Sequence, residues 1–252
     1  MRFTMIGDTR RNTHYIDKPN EDLFWFDKVQ GTALVLDGVS RSRENGIYPN
    51  PSPACMVTKI FAQAACAVLT APGREGAKEK LCAAVMAGNT AVAHANEGFP
   101  SDFLPGTVGV LVLVEGNSLH YAYVGDPIGI ALSQGGASSF TFLQTKAIHD
   151  HLGEFTSHEI RTYICNNIRH PYGYGVWTGQ DGVMDFLCTG IVSLKEGDRV
   201  ILCTDGIDAF LSAIGLESLC TMDSRTILKK AMAFQKPEGW MDDRTMIIID
   251  TE

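Results

Sequence analysis

Short runs of aliphatic, aromatic and β-branched residues recur along this sequence, and most are separated by polar turns of only a few residues. The first group is RFTMI, LFWF at Leu23–Phe26 and TALVL at Thr32–Leu36. A second group follows: VGVLVLVE from Val108, LHYAYVG from Leu119, IGIALS from Ile128 and SFTFLQ from Ser139. DFLCTG, DRVILCTDG and TMIIID complete the set. Turns this short join antiparallel strands, because a parallel pair needs a crossover of a dozen residues or more. Between the groups lie two helical runs. PACMVTKIFAQAACAVLT follows the capping residues Asn50 and Ser52 and ends near Pro72 and Gly73, and EGAKEKLCAAVMAGNTAVAHANEG stops at Gly98 and Pro100. Further helices are expected near Ile207–Leu211 and Ser224–Phe234. This order predicts an α+β architecture, with antiparallel sheets layered against helices. Residues 145–180 are irregular, with one short helix expected around Ser157–Asn166. They read as a mobile insert beside the site within a single domain spanning 1–252, not as a second domain.

A chain of 252 residues buries enough surface to fold without a metal or disulfide staple. Its 21 basic and 29 acidic side chains give a formal net charge of −8 with no basic block, which argues against nucleic acid and anionic membranes as partners. Seven singly placed cysteines without a C-x-x-C pair argue against structural zinc and for reduced core thiols. The opening MRFTMIGDTRRNTH lacks an apolar core of the signal-peptide kind, and no later run reads as a membrane span, so a cytoplasmic protein is expected.

The acids stand in an unusual place. Asp37 and Asp205 each end an apolar strand and precede a glycine, and Asp126 ends another just after Gly125. Glu21 and Asp22 precede LFWF, and Asp242 and Asp243 precede the last strand. One Asp-Gly at a strand end is a turn signal. Five acidic junctions, if the strand ends converge, place several carboxylates in a small volume, where they repel unless cations sit among them. Hard oxygen donors of this kind select magnesium or manganese over zinc.

The ordered series PNED, LVLDG, PGTVGVLVLV, YVGD, VILCTDG and DDRT resembles the motif series of the type 2C (PPM) metal-dependent serine/threonine protein phosphatases, and the opening MIGDTRRNTHYIDKPNED is similar to that family's divergent bacterial branch. The resemblance runs from about Gly7 to Thr245. It implies two stacked antiparallel sheets flanked by helix pairs, an αββα sandwich, with a binuclear Mg²⁺/Mn²⁺ centre at one end. It implies that Asp37 bridges two ions, that the carbonyl of Gly38 binds one, and that Asp205 and Asp242 complete the other. Glu21 and Asp22 would hold ion-bound waters, Asp126 with Asp205 would bind a weaker third ion, and Thr107 would support the centre without reacting. The implied reaction is hydrolysis of a phosphomonoester by a hydroxide bridging the ions, with no phosphoenzyme. Asp37, Asp22 and Glu21 are therefore the candidate catalytic residues. The implied substrate is a phosphorylated protein.

The series also departs from the family. The arginine expected four residues before Glu21 is Asp17, so the substrate phosphate would need another cation, and Lys18, Arg10 and Arg11 are nearest, followed by Arg41 and Arg43 in the long loop after Val39. Pro127 follows Asp126 where serine is usual, Val39 stands where animal members place a histidine, and Asp243 replaces an asparagine. These differences keep open a phosphatase of a small phosphorylated metabolite, and a non-catalytic binding or regulatory module with the same fold. The retained acids at 37, 205 and 242 argue against the module. His149, His151 and His158 read as loop residues, Cys203 as a packed thiol, Asp181-Gly182 as a turn, and Trp25, Trp177 and Trp240 as packing residues, with Trp177 able to reach substrate if the insert folds over the site. The sequence leaves the oligomeric state open.

Overall fold

Strands that end in short turns pair with their neighbours, and the computed structural model places them in two five-stranded sheets in which every pairing is antiparallel. It describes residues 1–13, 15–39, 47–100, 104–236 and 241–252. Arg41, Arg43 and Trp240 lie outside the described residues. The first sheet has the order β1 (Phe3–Arg10), β10 (Arg244–Thr251), β9 (Arg199–Cys203), β6 (Ile128–Ser133), β7 (Gly136–Ser139). The second has the order β2 (Leu23–Asp27), β3 (Thr32–Gly38), β4 (Thr107–Glu115), β5 (Ser118–Val124), β8 (Cys188–Ser193).

Helices α1 (Pro53–Thr70) and α2 (Ala77–Ala95) cover the outer face of the second sheet, and α5 (Asp208–Ile214), α6 (Leu216–Thr221) and α7 (Ser224–Ala233) cover the first. The result is the expected αββα sandwich. β3 and β4 are buried on both faces, which is why they read as continuous apolar runs rather than alternating ones. On β3, Ala33 and Val35 face the other sheet, while Leu34 and Leu36 face the helices. Asp37 continues the odd-numbered side and so lies in the gap between the sheets, where β3 runs out.

Several expectations change. Most of SFTFLQ is not a strand: β7 ends at Ser139, and of the residues after it Phe140 and Gln144 make single backbone bonds while Thr141 and Phe142 engage side chains. The Thr141 hydroxyl accepts from the Gly129 amide and donates to the Pro127 carbonyl, and the Phe142 amide donates to the Tyr123 hydroxyl. These bonds replace a ladder. The strand foreseen in DFLCTG starts only at Cys188, because Asp181–Phe186 forms a 3₁₀ helix. Helix α6 was not foreseen, being only six residues long. The expected absence of a membrane span also fails as a sequence criterion, since α1 has 18 residues and a mean hydropathy of 1.4, enough to cross a bilayer by length and composition. Here its apolar stripe (Ala54, Val57, Phe61, Ala65, Leu69) packs into the core. Trp177 stacks on Phe61 with ring centroids 4.3 Å apart and is fully buried, so it is a core residue and not a substrate contact. All seven cysteines are free thiols.

Candidate metal centre and active site

Antiparallel order gathers the acids at one edge. The C-terminal ends of β1, β3, β5 and β9 lie beside the N-terminal ends of β10, β2, β4 and β6, as the pairs Arg10–Arg244, Leu23–Leu36, Gly38–Thr107 and Ile128–Cys203 require. Every acidic junction of the sequence is attached to one of these ends. Two glycines permit the close approach. A side chain at Gly38 would fall 2.8 Å from the Glu21 carbonyl, and one at Gly206 would collide with the carbonyl of Asp243.

Asp37, Asp126, Asp205 and Asp242 line one cavity of about 240 Å³, together with Gly38, Val108, Thr145, Ile148, His149, Tyr174 and Val176. Burial raises the Asp37 carboxyl well above the usual carboxylate range, and Asp22, Asp205, Asp126 and Asp242 raise it further. Asp22 is raised by burial and by Asp243, against hydrogen bonds from Thr204 and Thr245 that favour its charged form. Burial likewise raises Asp126, opposed by the Thr145 hydroxyl at 3.0 Å. Asp205 is pushed up to about 7 by burial, then by Asp126 and Asp242. The backbone of Asp37 is fixed from β4, where the Thr107 hydroxyl donates to the Asp37 carbonyl at 2.7 Å.

A second set of acids surrounds Lys18. The buried ammonium lies 3.0 Å from Asp242, 3.3 Å from Asp243 and 3.5 Å from Glu21. Burial alone would lower its pKa, but Asp242, Asp243 and Glu21 outweigh this and raise it, so it stays charged. Asp243 is the hub of this set. Its carboxylate accepts from the Asn12 amide at 2.6 Å, the Asn12 side chain at 3.1 Å and the Glu21 amide at 2.9 Å, tying residues 12–21 to the approach to β10. Glu21 is equally engaged: Tyr48 donates to it at 2.7 Å, and Ser52, the cap of α1, donates to the same oxygen. Thr204 donates to Asp22 at 2.8 Å.

The three cations considered for the phosphate therefore part company. Lys18 stands among the acids. Arg10 is exposed and donates to the Met232 carbonyl at the end of α7, on the helix side of the first sheet, and Arg11 is exposed beyond it. Asp17 accepts from the Tyr48 amide at 3.0 Å. Sequence reasoning read Ser52 correctly as a cap but missed its bond to Glu21 and the roles of Asp243, Tyr48 and Thr204, and it left His149 as a loop residue although it lines the acidic cavity at the end of the short helix α3 (Lys146–His149). His151 instead pairs with Glu154 at 2.8 Å and stacks on Tyr172. Cys203 is fully buried, and burial pushes its thiol pKa up, which suits packing rather than nucleophilic attack.

The donor set suits hard divalent cations. Four carboxylates line the cavity beside the polar groups of Thr145, His149 and Tyr174, no lysine or arginine among the described residues lines it, and burial and the neighbouring acids raise the pKa values of Asp37 and Asp205. Among the described residues, no three acidic, histidine or cysteine groups close on a single point, so these donors line the cavity without forming a finished cage. One consequence is measurable. In the metal-free protein the unfolded chain ionises Asp205 near its ordinary value of 3.8, whereas the folded chain holds the proton up to about 7. The contribution of this group to stability is full below the lower value and is lost as pH rises through the upper one. Calorimetric melting of the metal-free protein across this window should show a smaller loss of stability in Asp205→Asn than in wild type. An identical profile for the two would contradict the placement of Asp205.

No family model matches the chain, and no curated protein matches it. Solved structures do. The Mycobacterium tuberculosis serine/threonine phosphatase PstP/Ppp is similar at a TM-score of 0.69 and 21% identity, covering 100% of both chains. The catalytic domain of PstP in complex with two manganese ions matches at 0.68 and 21%, covering 99% of each chain. The PPM Ser-Thr phosphatase MsPP from Mycobacterium smegmatis, in complex with cacodylate, matches at 0.68 and 17%, covering 99% of this chain and 98% of that one. The fold is that of the bacterial PPM phosphatases, the same family that the motif series resembles.

Proposed function

We propose that this chain is a divergent, bacterial-like type 2C phosphatase, a metal-dependent hydrolase of phosphomonoesters acting on phosphoserine and phosphothreonine in proteins. The observation that carries this reading is the convergence of Asp37, Asp126, Asp205 and Asp242 on one cavity at the end of the sandwich. Asp37, Asp205, Asp242 and the Gly38 carbonyl would hold two Mg²⁺ or Mn²⁺ ions, with Asp22 acting through water and Asp126 offering a place for a third. When bound, such ions lower the pKa of a coordinated water and neutralise charge on the phosphoryl oxygens.

The chain's own residues keep the donors in position. Thr107 fixes the backbone of Asp37, Thr204 orients Asp22, and Asp243 with Lys18 anchors Asp242 and Glu21. Val108, Ile148 and Val176 give the cavity an apolar wall that strengthens the field of the charges inside it. Of the three basic residues, we assign Lys18 to the charge balance of the centre. We place the activity in the cytoplasm, a reading supported by the free thiols.

The test is hydrolysis of an aryl phosphate, a phosphothreonine peptide and a panel of phosphorylated metabolites by one preparation. Activity should vanish with EDTA, return with Mn²⁺ or Mg²⁺, and favour the peptide. Full activity in a metal-stripped sample would overturn the reading, and a preference for a metabolite would transfer it to small-molecule substrates.

A further inference from the structure

A second cavity, of about 200 Å³, opens beside the acidic one. The two share Val39, Leu152, Tyr174 and Val176, so they lie side by side against the same residues. Its chemistry differs from that of its neighbour. Leu104, Ile160 and Val176 give it aliphatic sides, and among the described residues the charged one that lines it is Arg161, whose guanidinium donates to the Leu104 carbonyl at 3.4 Å. Ser157, which opens the short helix α4 (Ser157–Glu159), also lines it and is exposed, while the Gln180 amide oxygen on the same lining accepts from Asn166 and Thr178.

We propose that this cavity is a specificity subsite for an aliphatic side chain adjacent to the phosphorylated serine or threonine of an extended peptide. The inference rests on the phosphatase reading above and narrows its substrate class. With the phosphate drawn to cations that Asp37, Asp205 and Asp242 would hold, the neighbouring residue of the peptide would fall beside Val39, Leu152, Tyr174 and Val176. An aliphatic group there displaces water from an apolar surface. A sugar phosphate would instead set hydroxyls against the aliphatic sides and leave them unpaired. A lysine ammonium at the same position would lose its hydration against these aliphatic sides.

The experiment uses phosphothreonine peptides that differ only in the residue before or after the phosphothreonine, carrying Leu, Ala, Glu or Lys, with an aryl phosphate alongside and Mn²⁺ present. On the side that enters the cavity, Leu should exceed Ala in kcat/KM by about tenfold, and Lys should be the poorest. Ser157→Trp fills the cavity from an exposed position and should bring the Leu-to-Ala ratio to about one, a ratio that does not depend on how much of the variant is folded. Equal rates for Leu and Ala in wild type, or an unchanged ratio in Ser157→Trp, would overturn the subsite. Hydrolysis of the aryl phosphate without hydrolysis of any peptide would overturn the subsite and leave the phosphatase reading standing, whereas no hydrolysis of any ester would overturn both.

Discussion

If Asp37 bridges two dications as proposed, Asp37→Asn should reduce hydrolysis of every phosphomonoester by at least about a thousandfold, since an amide cannot supply the full negative charge that such a position would need. The variant should still fold. Thr107 bonds the backbone carbonyl of residue 37, not its side chain, and β3 keeps its register with β4 whichever group the position carries. Without metal the variant should even be slightly more stable than wild type near neutral pH. Burial and four neighbouring acids disfavour the ionised Asp37 carboxylate, and an amide of the same shape escapes both. Steady-state kinetics and a melting curve on one preparation would read both effects, and activity within about threefold of wild type would remove Asp37 from the reacting centre.

Lys18→Met should lower stability by about 3–5 kcal/mol, the usual cost of stripping the partner from a buried charge cluster. Glu21 and Asp243 are as deeply buried as Lys18 itself, so water cannot replace the lost ammonium. Their other donors, Tyr48 and Ser52 for Glu21 and Asn12 for Asp243, would soften the loss without cancelling it. The loss should shrink in acid, where protonation relieves the repulsion that the missing cation had balanced. Urea unfolding near neutral and acid pH would measure it. A midpoint that matches wild type at neutral pH would show that Lys18 contributes nothing to this cluster.

The part of the site that was legible in the sequence is the part encoded locally. An apolar run ending in Asp-Gly says that a buried strand stops at an acid, and Asp37 and Asp205 obey that rule. The side of the strand on which Asp37 lies also follows from alternation. The network that holds these acids was not legible, because its partners are far apart in sequence: Lys18 meets Asp242 across 224 positions, and Asn12 meets Asp243 across 231. Lys18 looked like a free cation for phosphate because nothing in the residues beside it announces three carboxylates around its ammonium. SFTFLQ misled for a related reason. It has the composition of a strand, but the Thr141 hydroxyl and the Tyr123 phenol take up backbone groups that a strand would pair with its neighbours. His149 was passed over as a loop residue, and only the folded position of residues 145–180 brings it to the acids.

The central claim is that these strand-end carboxylates form a site for divalent cations, and calorimetric titration of Mn²⁺ into metal-stripped protein tests it without any assumption about substrate. Wild type should bind saturably, and Asp37→Asn, folded to the same extent by circular dichroism, should lose most of the binding heat. Absence of binding in wild type, or equal binding by the two proteins, would contradict the account.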